Sequence, residues 1–241
     1  MNTDKVTVTR NGALLDIALN TPANGNLLDA EMGRAIVAAV NQLDDDIKLI
    51  RLSGNGADFC AGRVSPMPAK GAAPSAEHLR RTVAMPALEL YDALKATAVP
   101  VLGVIRGRAI GVGCALAGVC DITLAADSAT FQIPEMERDI PPTLVMSALI
   151  GRVPVKTVAR MVLTRDTVSA AEALQAGLVS QVVTEDQLDA EAERISTIML
   201  GCGAVTIRAV KQFLELAPGL PRGTSSGLAG HLAGTALSAK F

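Results

Sequence analysis

One carboxylate and one helix opened by glycines carry the chemistry that this sequence can offer. Glu135 follows Pro134 in apolar company, just past a strand-like segment. Upstream, Gly111-Val112-Gly113 opens a run of small apolar residues that reaches Val119. A helix that starts at glycines turns free backbone N–H groups toward whatever precedes it. Such groups can hold a negative charge developing on an oxygen. An anion site followed by a carboxylate suits chemistry in which a proton leaves carbon and charge moves onto oxygen. Two plainer readings fit the same residues. The glycines could serve only close helix–strand packing, and Glu135 could pair locally, for instance with Arg138.

The elements that must position these groups are legible around them. Val101 to Ile105 is an apolar, mostly β-branched run and predicts a buried strand. Val112 to Val119 predicts a short helix packed on all sides. Asp121 to Ala126 and Thr130 to Ile133 predict two more strands. Before this stretch, Asn11-Gly12 between two apolar runs signals a hairpin. Asp29 is placed to cap a helix with apolar Met32, Ile36, Val40 and Leu43. Lys48 to Ser53 predicts a strand, and Gly54 to Pro74, with Pro66, Pro68 and Pro74, a long loop. A helix from Ser75 should be broken by Pro86.

After the central stretch, helices are expected over Leu144–Gly151 and Val155–Leu163. Ser169 with Glu172 forms a capping box with Gly177 as the stop. Leu178 to Val183 predicts a strand. Thr184 with Gln187 should cap a helix to about Gly201. A helix over Val205–Leu216 and a final one over Gly227–Lys240 complete the chain. Strands paired with helices, then helices alone, give an α/β core with a helical tail.

Composition excludes several classes. The 241 residues are 49% hydrophobic and 19% charged, enough for a substantial core. Aromatics are only 2%, so Ala, Val, Leu and Ile must fill it. A net charge of −2 without a basic run gives no sign of a nucleic-acid partner. Cys60, Cys114, Cys120 and Cys202 lack C-x-x-C spacing, as expected of reduced thiols in a cytoplasmic protein. No signal-peptide core and no membrane-length apolar run is expected. With only His78 and His231, no metal site is expected.

Two motifs carry a family resemblance. I-R-G-R-A-I-G-V-G-C-A-L-A-G-V-C-D-I-T-L-A-A-D-S-A-T-F-Q-I-P-E, ending at Glu135, resembles the signature of the crotonase superfamily of enoyl-CoA hydratases and isomerases. L-I-R-L-S-G-N-G-A-D-F-C-A-G-R, from Leu49 to Arg63, is similar to its strand and loop ending in F-[SC]-A-G. The resemblance runs from about residue 5 to about residue 215. It implies a spiral of β-β-α turns forming an acyl-CoA-binding core over residues 1–190. It further implies a C-terminal helical region over 191–241 that packs a homotrimer or a dimer of trimers.

The resemblance also assigns roles. Backbone N–H groups of Arg63 and Val112 would form an oxyanion hole for an enolate of an acyl-CoA thioester. Ala61, Gly62 and Gly111 would line the substrate site, and Lys211 would lie near CoA phosphates. No cofactor is implied, since coenzyme A is part of the substrate. Hydratases of the family use two glutamates, one in G-G-G-C-E and one in F-x-x-P-E. Here the first position is Ala115 and the second is Glu135. One carboxylate can take a proton from one carbon and return it to another, so an isomerase-like shuttle is expected. Burial of a lone Glu135 should raise its pKa. Asp139, where the family usually has glycine, and Glu137 are the alternative second acids for hydration. One of Arg63, Arg106 and Arg108 could meet a CoA phosphate or a substrate carboxylate, or all three could face solvent.

Other readings are weaker on the residues. Gly111-x-Gly113 fails the dinucleotide fingerprint, because position 116 is leucine. Gly223-Thr224-Ser225-Ser226-Gly227 matches a nucleophile elbow in letters, but it sits in an expected loop after a helix and no acid follows it. A non-catalytic CoA-ester-binding or RNA-binding homologue is the remaining class; loss of the glutamate at 115 points that way, and retained Glu135 points against it.

Overall fold

The computed structural model describes residues 4–65, 67–69 and 71–241; Pro66 of the expected long loop and the first three residues lie outside them. Strands β1 (Val6–Asn11) and β2 (Leu14–Leu19) form the expected antiparallel hairpin. Gly12 takes φ +61° and forms the turn with Ala13, while Asn11 remains the last strand residue. Helix α1 (Ala30–Asn41) starts where Asp29 accepts a 2.9 Å bond from the Met32 N–H. It buries Met32, Ile36 and Val40. Strand β3 (Leu49–Gly54) follows.

Pro86 interrupts the next helix in an unexpected way. Helix α2 (Ala76–Leu79) runs through a π-helical turn, Arg80–Ala84, into α3 (Met85–Ala96). The Met85 N–H reaches back to the Arg80 carbonyl. The widened turn places Pro86 in the first turn of α3, where a missing N–H leaves no helix bond unmade. The chain therefore stays helical through Pro86.

The central stretch gives β4 (Val101–Ile105), β5 (Arg108–Ile110), α4 (Val112–Val119), β6 (Ile122–Ala126) and β7 (Thr130–Gln132). Every residue of α4 is buried, as its small apolar side chains require. Helices α5 (Thr143–Leu149) and α6 (Val155–Thr164) lead to β8 (Val168–Ser169) and α7 (Ala170–Gln175). The Ser169–Glu172 capping box forms and Gly177 takes φ +75°. Strand β9 (Gln181–Val183) precedes α8 (Leu188–Leu200), α9 (Ala204–Leu216) and α10 (Arg222–Ser238). Thr184 makes no side-chain cap, because a 3₁₀ turn over Glu185–Gln187 intervenes before α8. Ser225 lies inside α10, which starts directly after Pro221, so the nucleophile-elbow letters fall on a helix and not on a loop.

The strands form two sheets. The larger has the order β1-β2-β3-β4-β6-β9, parallel from β2 onward. The smaller has the order β5-β7-β8. Isolated bridges Leu28–Arg63 and Cys60–Ala109 extend the smaller ladder toward the N-terminal half. Each of β2, β3, β4 and β6 is thus followed by a segment that joins the second ladder before the chain returns through helices. This is the β-β-α spiral. One sheet face carries the main core with α1, α3, α4 and α5. Leu14, Leu49, Leu102 and Leu124 on the other face meet Leu188 and Ala192 of α8. Helix α8 therefore covers the sheet, and the expected boundary at 190/191 falls within it.

Lys211 of α9 ties the helical tail to this core. Its Nζ bonds both Asp121 carboxylate oxygens, at 2.9 and 3.0 Å, with both side chains more than nine-tenths buried. Asp121 also accepts from the Val101 N–H at 2.8 Å. The ammonium is engaged inside the fold, which corrects the expectation of a CoA phosphate ligand. Lys211→Met should cost about 3 kcal/mol, because it strands a buried carboxylate, and a urea midpoint shift would measure it. A shift near zero would show that Arg152, 3.9 Å from Asp121, takes over the pairing.

Candidate functional site

Two close approaches build the site. Gly111 caps the start of α4 with φ +54°, and its N–H donates to the Gln132 carbonyl at 2.9 Å. A Cβ on Gly111 would stand 2.6 Å from Glu135 Oε1. Only glycine lets the carboxylate sit there. A Cβ on Gly113 would overlap the Cys60 carbonyl oxygen. The segment of β3's following loop that contains Cys60, Ala61 and Gly62 is thereby seated on the first turn of α4. Reciprocal bonds hold it: the Cys60 N–H donates to the Arg108 carbonyl and the Ile110 N–H to the Cys60 carbonyl, both at 2.9 Å.

The same pairing leaves two donors unused. The Leu28 N–H bonds the Gly62 carbonyl, and the Val64 N–H bonds the Leu28 carbonyl. In this ladder the Arg63 N–H faces away from Leu28, and among the described residues it has no acceptor. The Val112 N–H, in the first turn of α4, has none either, as helix starts require. Arg63, Val112, Gly111, Ala61, Gly62 and Glu135 all line one cavity of about 290 Å³. Its walls are otherwise mainly apolar, with Leu27, Ile110, Leu144 and Val145 among them.

Glu135 opens a 3₁₀ turn, Glu135–Arg138, after Pro134. Its Oε2 is buried without a hydrogen-bond partner. No ion pair with Arg138 forms among the described residues, so the local-pairing reading is not what the geometry favours. Burial pushes the carboxyl pKa up, only partly opposed by the residue's own N–H and the more distant Arg138 charge. A carboxylate with its charge poorly satisfied is a stronger proton acceptor than an exposed one.

The other named residues fall elsewhere. Asp139 is exposed, in the left-handed conformation (φ 54°) that ends the 3₁₀ turn, and faces a separate hollow with Met136 and Met146. Glu137 is exposed and off the cavity wall. Ala115 is fully buried in the core and does not reach the cavity. Glu135 is therefore the only carboxylate lining the cavity among the described residues. Arg108 grips Asp58 with two bonds, at 2.9 and 2.7 Å, and Arg106 bonds Asp189. Only Arg63 of the three arginines reaches the cavity. Sequence reasoning missed Tyr91 of α3, which lines the cavity while being 1% exposed. As the single tyrosine, on the buried side of an amphipathic helix, it was the one signal available.

Comparison with known proteins places this arrangement. A model of the family described as Enoyl-CoA hydratase/isomerase matches residues 9–219. The probable enoyl-CoA hydratase of Mycobacterium bovis is 32% identical over 222 residues, covering 90% of this chain and 83% of that protein. The solved structure of enoyl-CoA hydratase from Mycobacterium smegmatis gives a TM-score of 0.89 at 25% identity, over 96% of this chain and 90% of that one. The solved structure of a Thermobifida fusca protein in complex with CoA gives 0.87 at 25% identity, over 97% and 93%. The two sequence motifs, the spiral fold and a match spanning most of the chain agree: this chain belongs to the enoyl-CoA hydratase/isomerase family of the crotonase superfamily.

Proposed function

We propose that this enzyme moves the double bond of an enoyl-CoA thioester from the 3 to the 2 position, with Glu135 as its only proton carrier. The observation that carries this reading is the single carboxylate on the cavity wall, buried against Gly111. The CoA part of the substrate follows from the family and from the CoA held by the Thermobifida fusca relative. Glu135 takes a proton from the α carbon. The electron pair moves onto the thioester oxygen, giving a dienolate. The N–H groups of Arg63 and Val112 hold that oxygen. Charge there exists only along the reaction path, so these donors favour the transition state over the ground state. The protonated Glu135 then returns its proton at the γ carbon, and the dienolate collapses to the 2-enoyl thioester. These steps require no cofactor beyond the CoA already on the substrate.

Hydration is the second reading, favoured by the name of the Mycobacterium bovis relative. It needs a base for water and an acid for the α carbon. Asp139 and Glu137 do not line the cavity, which leaves that second role without a carboxylate among the described residues. Isomerisation of a 3-enoyl-CoA should therefore outpace hydration of crotonyl-CoA in side-by-side assays. Its kcat/KM should rise with pH through a limb above the ordinary carboxylate range, as deprotonation frees the base. Glu135→Gln should lower turnover on the order of 10³-fold while thioester binding stays within a few-fold. Faster hydration than isomerisation by the wild type would overturn the shuttle.

Glu135 should also make the fold less stable. Its folded pKa is raised, so the native state binds this proton more tightly than the unfolded chain does. Stability is lost as pH climbs from the unfolded pKa through the folded one, and stays lost above it. Glu135→Gln should accordingly melt above wild type at pH 7, with the gap closing in acid. An unchanged or lower Tm at pH 7 would mean that the carboxylate is better satisfied than its geometry indicates.

A trimer or dimer of trimers is the assembly we propose. Helix α10 has no buried residue, and Val210 and Leu214 of α9 and Leu237 of α10 are more than half exposed. Such apolar exposure fits subunit packing. Light scattering should give a mass of three or six chains, and a clean monomer would refute the assembly.

A further inference from the structure

We infer that Arg63 and Tyr91 form a receptor for a carboxylate carried on the acyl chain of the substrate. The inference rests on the CoA-thioester reading above and names the class of thioester.

Three observations support it. First, Arg63 is half-buried in the cavity wall and pairs with no carboxylate among the described residues. Its guanidinium donates once, to the Val83 carbonyl at 2.9 Å, which leaves most of its donors unused. Burial pulls its pKa down, the mark of a cation without an anion. Second, Tyr91 is 1% exposed, yet its hydroxyl makes no hydrogen bond within the described residues and the residue lines the cavity. Buried tyrosines ordinarily find a partner for that group. Burial pushes its pKa up, so it stays a neutral donor. Third, the two donors belong together. Both line the same cavity as Glu135.

The chemistry of what is absent follows. Among the described residues, Arg63 and Tyr91 share the cavity wall with one carboxylate, Glu135, which is reserved for the proton, and with the exposed Arg138. An alkyl tail would leave both donors desolvated and unpaired. A carboxylate would accept from the guanidinium and the hydroxyl together, in bonds that charge strengthens. The receptor shares its cavity with Glu135 and with the unpaired Arg63 and Val112 N–H groups, so we place the carboxylate on the acyl part of the thioester.

Binding of unreactive thioesters tests this without relying on turnover. Succinyl-, glutaryl- and adipyl-CoA would each be titrated calorimetrically against the alkyl thioester of equal carbon number: butyryl-, valeryl- and hexanoyl-CoA. Wild type should prefer at least one dicarboxylyl thioester by about tenfold or more, in keeping with a charge-assisted pair. Arg63→Met should erase that preference and Tyr91→Phe should reduce it severalfold. No preference in wild type overturns the proposal, as does a preference that survives Arg63→Met. Equal weakening of both partners by Arg63→Met would assign the guanidinium to the CoA moiety and overturn it too. Should Arg63→Met not fold, the wild-type preference and Tyr91→Phe decide. Tight binding of alkyl thioesters without discrimination would sink this inference and leave the CoA-thioester reading standing; binding of none would sink both.

Discussion

The site depends on two contacts that only glycine permits. The Glu135 carboxylate rests where a Cβ of residue 111 would be, and the Cys60 carbonyl rests where a Cβ of residue 113 would be. These contacts draw two distant segments onto the first turn of α4. One brings the Glu135 carboxylate, the other brings the unpaired Arg63 N–H, and the helix itself brings the Val112 N–H. A side chain at 113 would have to displace the Cys60 backbone, and one at 111 would push the carboxylate off the helix start. The surrounding helix is buried on every side by small residues, so the position of its first turn is fixed by the core and not by a flexible loop.

The same packing sets the electrostatics. A carboxylate buried against a glycine, in a mainly apolar cavity, has little water and one oxygen without a partner. Its charged form is disfavoured, and that cost is the source of its basicity. With alanine at 115 packed into the core, no second carboxylate lines the cavity among the described residues, and no like charge is needed to explain the raised pKa. In the proposed reaction the Arg63 and Val112 N–H groups, being neutral, would stabilise a charge that forms during reaction without neutralising Glu135 beforehand. On that proposal stability and chemistry pull against each other at a single residue.

Much of this was legible in the sequence, for identifiable reasons. Strand runs such as Val101–Ile105 are buried on both faces, and the helix over 112–119 can only be all-buried with those side chains. Caps at Asp29 and Ser169 are local devices that use neighbours within three residues, so they transfer directly to structure. The failures are non-local. The π turn before Pro86 reflects how α3 must meet the core, which no propensity encodes. Lys211 reads as a surface lysine until the fold brings Asp121 to it from 90 residues away. Tyr91 shows in the sequence only as the single tyrosine on a buried helix face; nothing local says that it lines a cavity with Glu135.

Asp139 shows how closeness in sequence can mislead about a site. It lies four residues after Glu135, yet it closes a 3₁₀ turn in the left-handed region, with its N–H bonded to the Met136 carbonyl at 3.2 Å. Aspartate tolerates that conformation better than most side chains, so it can replace a glycine there at modest cost. The turn reverses the chain at Asp139. Ile140, Pro141 and Pro142 then line the cavity, while Asp139 is exposed and lines the neighbouring hollow. The same backbone geometry that lets an aspartate stand there leaves it off the cavity wall, where Glu135 stands with the Arg63 and Val112 N–H groups.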